Sequence, residues 1–165
     1  MNFRALPKQV NHTCFACGSG NPMGLHMTFE TDEESLRSRF EVPKHMAGWS
    51  TVVHGGIVAT ILDEVMSNGA IYLVERIILT RSMQIELLRP VLVEQPVTAR
   101  GWLVEQPHER KALMGAELLD AKGQVCARGT GDYALFTPEQ FRKRGLDEGI
   151  VKDFESWMAQ CGKGS

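Results

Sequence analysis

The chain has 165 residues and a formal net charge of −2, with 43% hydrophobic and 23% charged residues. That length suits one domain with a real core, and the composition is that of a globular chain, not a disordered one. Without a basic excess to neutralise phosphates, a general nucleic-acid binder is excluded. No apolar run in the sequence approaches the ~20 residues that span a bilayer, so no membrane partner is expected.

The opening Met1-Asn2-Phe3-Arg4-Ala5-Leu6-Pro7-Lys8 lacks the apolar stretch of a signal peptide, which gives a cytoplasmic expectation. Residues 1–24 are rich in Pro, Gly, Asn and Cys and read as an irregular lead-in. Leu25 to Glu30 alternates apolar and polar residues, as does Leu36 to Val42; both read as strands, joined by the polar turn Thr31-Asp32-Glu33-Glu34. Pro43 ends the second strand, and residues 43–53 read as a loop.

A helix is predicted from about Gly56 to Val74. At ~100° per residue its apolar side chains, among them Ile57, Val58, Ile61, Leu62, Val65, Met66, Tyr72 and Leu73, cover more than half the circumference. So wide a stripe marks a helix wrapped by other structure. Thr60, Asp63, Glu64 and Ser67 share the remaining arc.

Four strand-like segments follow. Leu79 to Val91 sets Leu79, Met83, Ile85, Leu87 and Val91 against Thr80, Ser82, Gln84 and Glu86. Val97 to Glu105, Lys111 to Leu119 and Val125 to Phe136 complete a meander, the last two joined by the turn Asp120-Ala121-Lys122-Gly123. This segregated order indicates an α+β fold with a helix on one face of an antiparallel sheet of about six strands. Residues 25–136 therefore read as the domain proper and residues 137–165 as a helical extension. Thr137-Pro138-Glu139-Gln140 carries a capping-box start, and a second amphipathic segment sets Val151, Phe154 and Met158 on one side.

The junction His54-Gly55-Gly56 is the chemically suggestive place. Glycines let a ligand approach the backbone, and the first helical amides are unsatisfied donors at the positive end of the dipole. One of them aimed at a carbonyl forms an oxyanion hole, worth ~3 kcal/mol. Two turns on, the Asp63 carboxylate is placed to attack a thioester or activate water. Glu64 projects ~100° away and is the weaker candidate for the same pocket.

The run His54-Gly55-Gly56-Ile57-Val58-Ala59-Thr60-Ile61-Leu62-Asp63-Glu64 resembles the signature of hotdog-fold acyl-CoA thioesterases, in the phenylacetate-pathway (PaaI-like) branch. Thr80 to Pro90 resembles that family's strand after the helix, and Cys14-Phe15-Ala16-Cys17-Gly18 with Asn21-Pro22-Met23-Gly24-Leu25 resembles the lead-in of one subgroup. The resemblance covers roughly residues 14–136 and implies a hotdog fold, with the sheet wrapped around one long central helix.

It further implies that Asp63 is the catalytic nucleophile or general base. By the same token the Gly56 amide polarises the thioester carbonyl, His54 and Gly55 shape the substrate loop, and Thr80 helps hold the attacking water, typically from the neighbouring subunit. The substrate would be an acyl-CoA, the assembly a homodimer or homotetramer with its active site at the dimer interface, and no cofactor or metal would take part. Where many relatives carry Asn or Gln in the loop before the His, this chain has Gly48, with Ser50 and Thr51 nearby. That departure keeps a non-catalytic acyl-CoA binding module as the alternative, and a 3-hydroxyacyl thioester dehydratase pairing His54 with Asp63 as a further one.

Other candidates carry less. Cys14 and Cys17 with His12 and His26 have the ingredients of a zinc site, but a lone CxxC without a second pair reads first as a structural loop turning at Gly18. Cys126 and Cys161 read as free thiols. Arg89, Arg110, Lys111 and Arg128 are scattered and read as solvated surface, and Trp49 and Trp102 as core packing before acyl-pocket lining.

Overall fold

The computed structural model describes residues 2–8 and 12–163; residue 1 and residues 9–11 of the expected lead-in, and residues 164–165 of the expected extension, lie outside the described residues. In chain order the elements are β1 (Arg4–Ala5), β2 (Glu30–Thr31), β3 (Ser35–Glu41), a turn of 3-10 helix (Lys44–Met46), β4 (Ala47–Trp49), β5 (Val52–Val53) and α1 (Gly55–Val74). Then come β6 (Ile77–Leu87), β7 (Pro96–His108), β8 (Lys111–Leu119), β9 (Val125–Phe136), α2 (Pro138–Arg142) and α3 (Glu148–Gln160).

Seven strands form one antiparallel sheet in the order β1-β2-β3-β7-β8-β9-β6, with β4 and β5 a separate small hairpin. The expected count of about six becomes seven through the two-residue β1. Helix α1 lies across the sheet, with Val58, Ile61, Leu62, Val65, Met66, Ala70 and Tyr72 buried, as the wide apolar arc requires. The sheet meets it with small residues. A Cβ on Gly101 would stand 2.7 Å from the Val65 carbonyl oxygen, and Gly129 faces Leu62 and Met66. Large side chains there would lift the helix off the sheet and open voids that close-packed interiors do not tolerate. By length and composition α1 is long and apolar enough to cross a bilayer, contrary to the expectation that no run is; half of that stretch is buried within this fold.

Three expectations need correction. Leu25, Met27 and Phe29 are buried as the alternation predicts, yet only Glu30 joins a strand. His26 adopts φ 52°, which breaks the extended run, and the amides of Leu25 and Met27 donate to the lead-in at the Phe15 and Ala16 carbonyls. Residues 43–53 are not a plain loop but the 3-10 turn and the β4–β5 hairpin. Strand β6 changes face midway, because its register with β9 shifts between Thr80 and Ser82. Thr80 stands opposite Tyr133, and Met83, Ile85 and Leu87 stand opposite Gly131, Gly129 and Ala127, all on the side of α1. Leu79 turns to the other face and is exposed.

The terminal helices are docked. Thr137 makes the predicted capping box with Gln140. Val151, Trp157 and Met158 of α3 are buried, and Trp157 packs edge-on against Tyr72 at the far end of α1.

Candidate functional site

The entry to α1 is organised by His54. Its ring Nδ1 accepts the Gly56 amide at 2.9 Å, and its carbonyl accepts the amides of Ile57 at 2.9 Å and Val58 at 3.1 Å. First-turn amides have no partner within the helix; His54 satisfies two of them, those of Gly56 and Ile57, while its bond from Val58 is the first regular turn of the helix. The Gly55 amide is left without an acceptor among the described residues. The Gly56 donor expected to meet a carbonyl is engaged by His54 in this structure, and the Gly55 donor beside it is open.

Gly48, the departure noted in the sequence, has a structural reason. A Cβ there would lie 2.9 Å from His54 Cα and 3.1 Å from its Cδ2. A side chain at 48 would push aside the residue that caps the helix, so the glycine and the histidine cap belong together. Gly55 is similarly close to β6, with Leu87 Cδ1 at 3.2 Å from an added Cβ.

Asp63 sits where α1 passes β9 and β6. Its Oδ1 accepts three hydroxyls: Tyr133 at 2.9 Å, Thr80 at 3.1 Å and Ser67 at 3.4 Å. Oδ2 has no partner among the described residues. Hydrogen bonds to an ionised group are worth ~1.5–3 kcal/mol each, so the carboxylate is held in one orientation with one oxygen available. Tyr133 is fully buried. Burial first, and then the charge of Asp63, raises its pKa above the ordinary phenol range, which keeps the hydroxyl protonated as a donor. Thr80, His54 and Gly56 are exposed and Asp63 is half-buried, so the site opens to solvent on one side.

The structure thus brings Asp63 and Thr80 together, with Tyr133 and Ser67 beside them. Thr80 reaches Asp63 within one chain, where the resemblance would have it come from the neighbouring subunit. Ser67 was legible as the residue one turn after Asp63 on the same arc. Tyr133 was hidden, since its pairing with Thr80 depends on the β6 register shift.

Glu64 takes a different side of the helix. Its carboxylate accepts Asn68 Nδ2 at 2.8 Å and lies 3.7 and 3.8 Å from Cys14 Sγ. Burial, then the neighbouring Cys14, raises its pKa to about 7. It is not part of the Asp63 pocket.

Among the remaining candidates, Arg89 binds the Val125 carbonyl at 2.6 Å and Lys111 pairs with Asp132 at 2.8 Å. Trp49 is 85% exposed at the tip of the β4–β5 hairpin, contrary to a core role. Trp102 is half-buried and lies over Gly115, whose added Cβ would sit 2.8 Å from the indole.

Residues 51–127 match the family model described as the thioesterase superfamily. No curated protein matches the chain. Among solved structures, it is similar to AziG of S. sahachiroi, at 21% identity and TM-score 0.62 over 68% of this chain and 92% of that one. It is also similar to a hypothetical thioesterase of Streptococcus pneumoniae TIGR4 solved with coenzyme A, at 17% identity and TM-score 0.59 over 63% and 80%. Thioesterase HI1161 of Haemophilus influenzae is similar at 14% identity and TM-score 0.65 over 73% and 85%. At these identities the structural likeness establishes the fold.

Proposed function

We propose, from the thioesterase-superfamily match over residues 51–127 and the hotdog fold, that this chain is a member of that superfamily and hydrolyses acyl-CoA thioesters to the free acid and coenzyme A. The observation that carries the reading is the Asp63 carboxylate, with Oδ1 held by three hydroxyls and Oδ2 open. Oδ2 attacks the thioester carbonyl or takes the proton of an attacking water, and the coenzyme A thiolate leaves. Finer assignment to the PaaI-like branch rests on the residues from His54 to Glu64.

The Gly55 amide is the donor for the carbonyl oxygen as charge develops on it. Eight residues separate Gly55 from Asp63, which is about 12 Å of helix rise. Reacting atoms must approach to about 3 Å, so one carbonyl group does not reach both within one chain. A two-fold homodimer solves this by pairing the Gly55 amide of one copy with Asp63 of the other. Strand β6 supports that arrangement. It is an open sheet edge beside Asp63, and Leu79, Met83, Leu87 and Leu88 along it and just past its end are exposed. A bare apolar edge of this kind is a template for pairing with a second copy.

The dehydratase alternative pairs His54 with Asp63, but His54 Nδ1 is engaged with the Gly56 amide. The test is thiol release from a panel of aryl and aliphatic acyl-CoA esters. Hydrolysis is expected; an enoyl product from a 3-hydroxyacyl ester would favour dehydration, and binding without turnover would favour a binding module.

A further inference from the structure

A second cluster of reactive side chains lies on the opposite flank of α1. His12, Cys14 and Cys17 each offer a ligand atom, and these atoms all lie within 4.8 Å of one another. Glu64 stands beside this trio, its carboxylate oxygens 3.7 and 3.8 Å from Cys14 Sγ. A tetrahedral ion with ligands at ~2.3 Å for sulfur and ~2.0 Å for oxygen has sulfur–oxygen edges of about 3.5 Å. The observed spacing is within a few tenths of an ångström of that edge.

The loop is built to hold these groups in place. The Gly18 amide donates to the Cys14 carbonyl at 2.9 Å and the Gly20 amide to the His12 carbonyl at 3.0 Å. The Ala16 amide points at Cys14 Sγ at 3.4 Å, a contact that suits a thiolate. A Cβ on Gly18 would lie 2.4 Å from the His12 carbonyl oxygen and 2.5 Å from Cys14 N, so only glycine closes the turn. Asn68 Nδ2 orients the Glu64 carboxylate from outside the cluster at 2.8 Å, as outer partners of metal ligands do. Two thiols and a half-buried carboxylate gather here, and no Lys or Arg among the described residues pairs with Glu64.

We propose that His12, Cys14, Cys17 and Glu64 bind one zinc ion, which fastens the lead-in loop to α1 at the residue next to Asp63. Two sulfurs, one imidazole and one carboxylate make a four-ligand set of the kind zinc takes in closed structural sites. His26 is exposed and stands outside the cluster. The zinc site is independent of the Asp63 chemistry.

The full-length protein is to be purified without chelator and its metal content measured by mass spectrometry, beside Cys17→Ser, Glu64→Gln and His26→Ala. The proposal predicts one zinc per chain in the wild type and in His26→Ala. It predicts loss of zinc in Cys17→Ser and at least tenfold weaker retention against a competing chelator in Glu64→Gln. Cobalt replacement should give a thiolate charge-transfer band with the intense visible bands of a tetrahedral centre. Where Cys17→Ser folds poorly, the chelator-stripped wild type serves instead, and its melting temperature should rise on adding zinc. A stripped protein that takes up no zinc or cobalt, a content unchanged in both Cys17→Ser and Glu64→Gln, or a Cys14–Cys17 disulfide in the purified protein would each overturn the proposal.

Discussion

The buried Tyr133 hydroxyl donates to Asp63 Oδ1 at 2.9 Å, joining β9, the last strand in chain order, to the middle of the central helix. Because Thr80 sits opposite Tyr133 in the sheet register, both donors reach the same oxygen from one side. The carboxylate therefore presents Oδ2 in a fixed direction.

Removing these donors should slow the reaction without unfolding the protein. Tyr133→Phe and Thr80→Val are each expected to lower kcat about tenfold or more, given ~1.5–3 kcal/mol per hydrogen bond to a charged group. KM should change little, because the donors orient the attacking group and do not hold coenzyme A. Steady-state kinetics on the preferred ester would decide; an unchanged kcat in both variants would remove the orienting role.

Gly48 and His54 should behave as a coupled pair. His54→Ala removes the side-chain cap of α1 and is expected to cost ~1 kcal/mol. Gly48→Ala forces a Cβ against His54 and is expected to cost ~1–3 kcal/mol. In the His54→Ala background the Gly48→Ala cost should shrink, since the ring it collides with is gone, although the backbone contact at Cα persists. Urea titrations of the four proteins give the coupling energy. Strict additivity would mean that the two residues act independently.

The open β6 edge carries the assembly prediction. Met83→Arg places a charge on the α1 side of that edge and is expected to yield a monomer by light scattering. If Gly55 and Asp63 of different copies share one substrate, turnover should fall with the dimer. A fully active monomer would contradict the shared site.

Acid should loosen the N-terminal strap. Hydrogen bonding from Tyr72, then from Arg4, holds the Glu33 carboxyl below its ordinary value of 4.5. Its contribution is complete above that ordinary value and is lost as pH falls through the lower folded-state value. The Arg4 and Glu33 side chains are about half exposed, so the effect should stay under about 1 kcal/mol. Denaturant midpoints at pH 6 and pH 3.5 should differ less in Glu33→Gln than in the wild type; an equal difference would assign the acid sensitivity elsewhere.

Much of this architecture was legible in the residues. The bounds of β8 and β9 and the Thr137 capping box follow from alternation and turn chemistry, and α1 follows from its wide apolar arc. What escaped the sequence were features set by tertiary pairing. The shift at Arg81 exchanges the faces of β6, so simple alternation assigned Thr80 to the side away from α1. Tyr133 was invisible as a site residue for the same reason. The bond from the Gly56 amide to His54 was hidden because a histidine side chain capping its own helix cannot be read from spacing. Trp49 is exposed on a hairpin too short to leave a periodic signal.

The most direct test of the central claim is thiol release from acyl-CoA esters by the wild type and by Asp63→Asn, which keeps the shape of the side chain and removes its charge. The account predicts measurable hydrolysis that falls by about a hundredfold or more in Asp63→Asn, the scale on which positioned acid–base groups act, with the melting temperature nearly unchanged. Hydrolysis at the wild-type rate in the folded variant would contradict it.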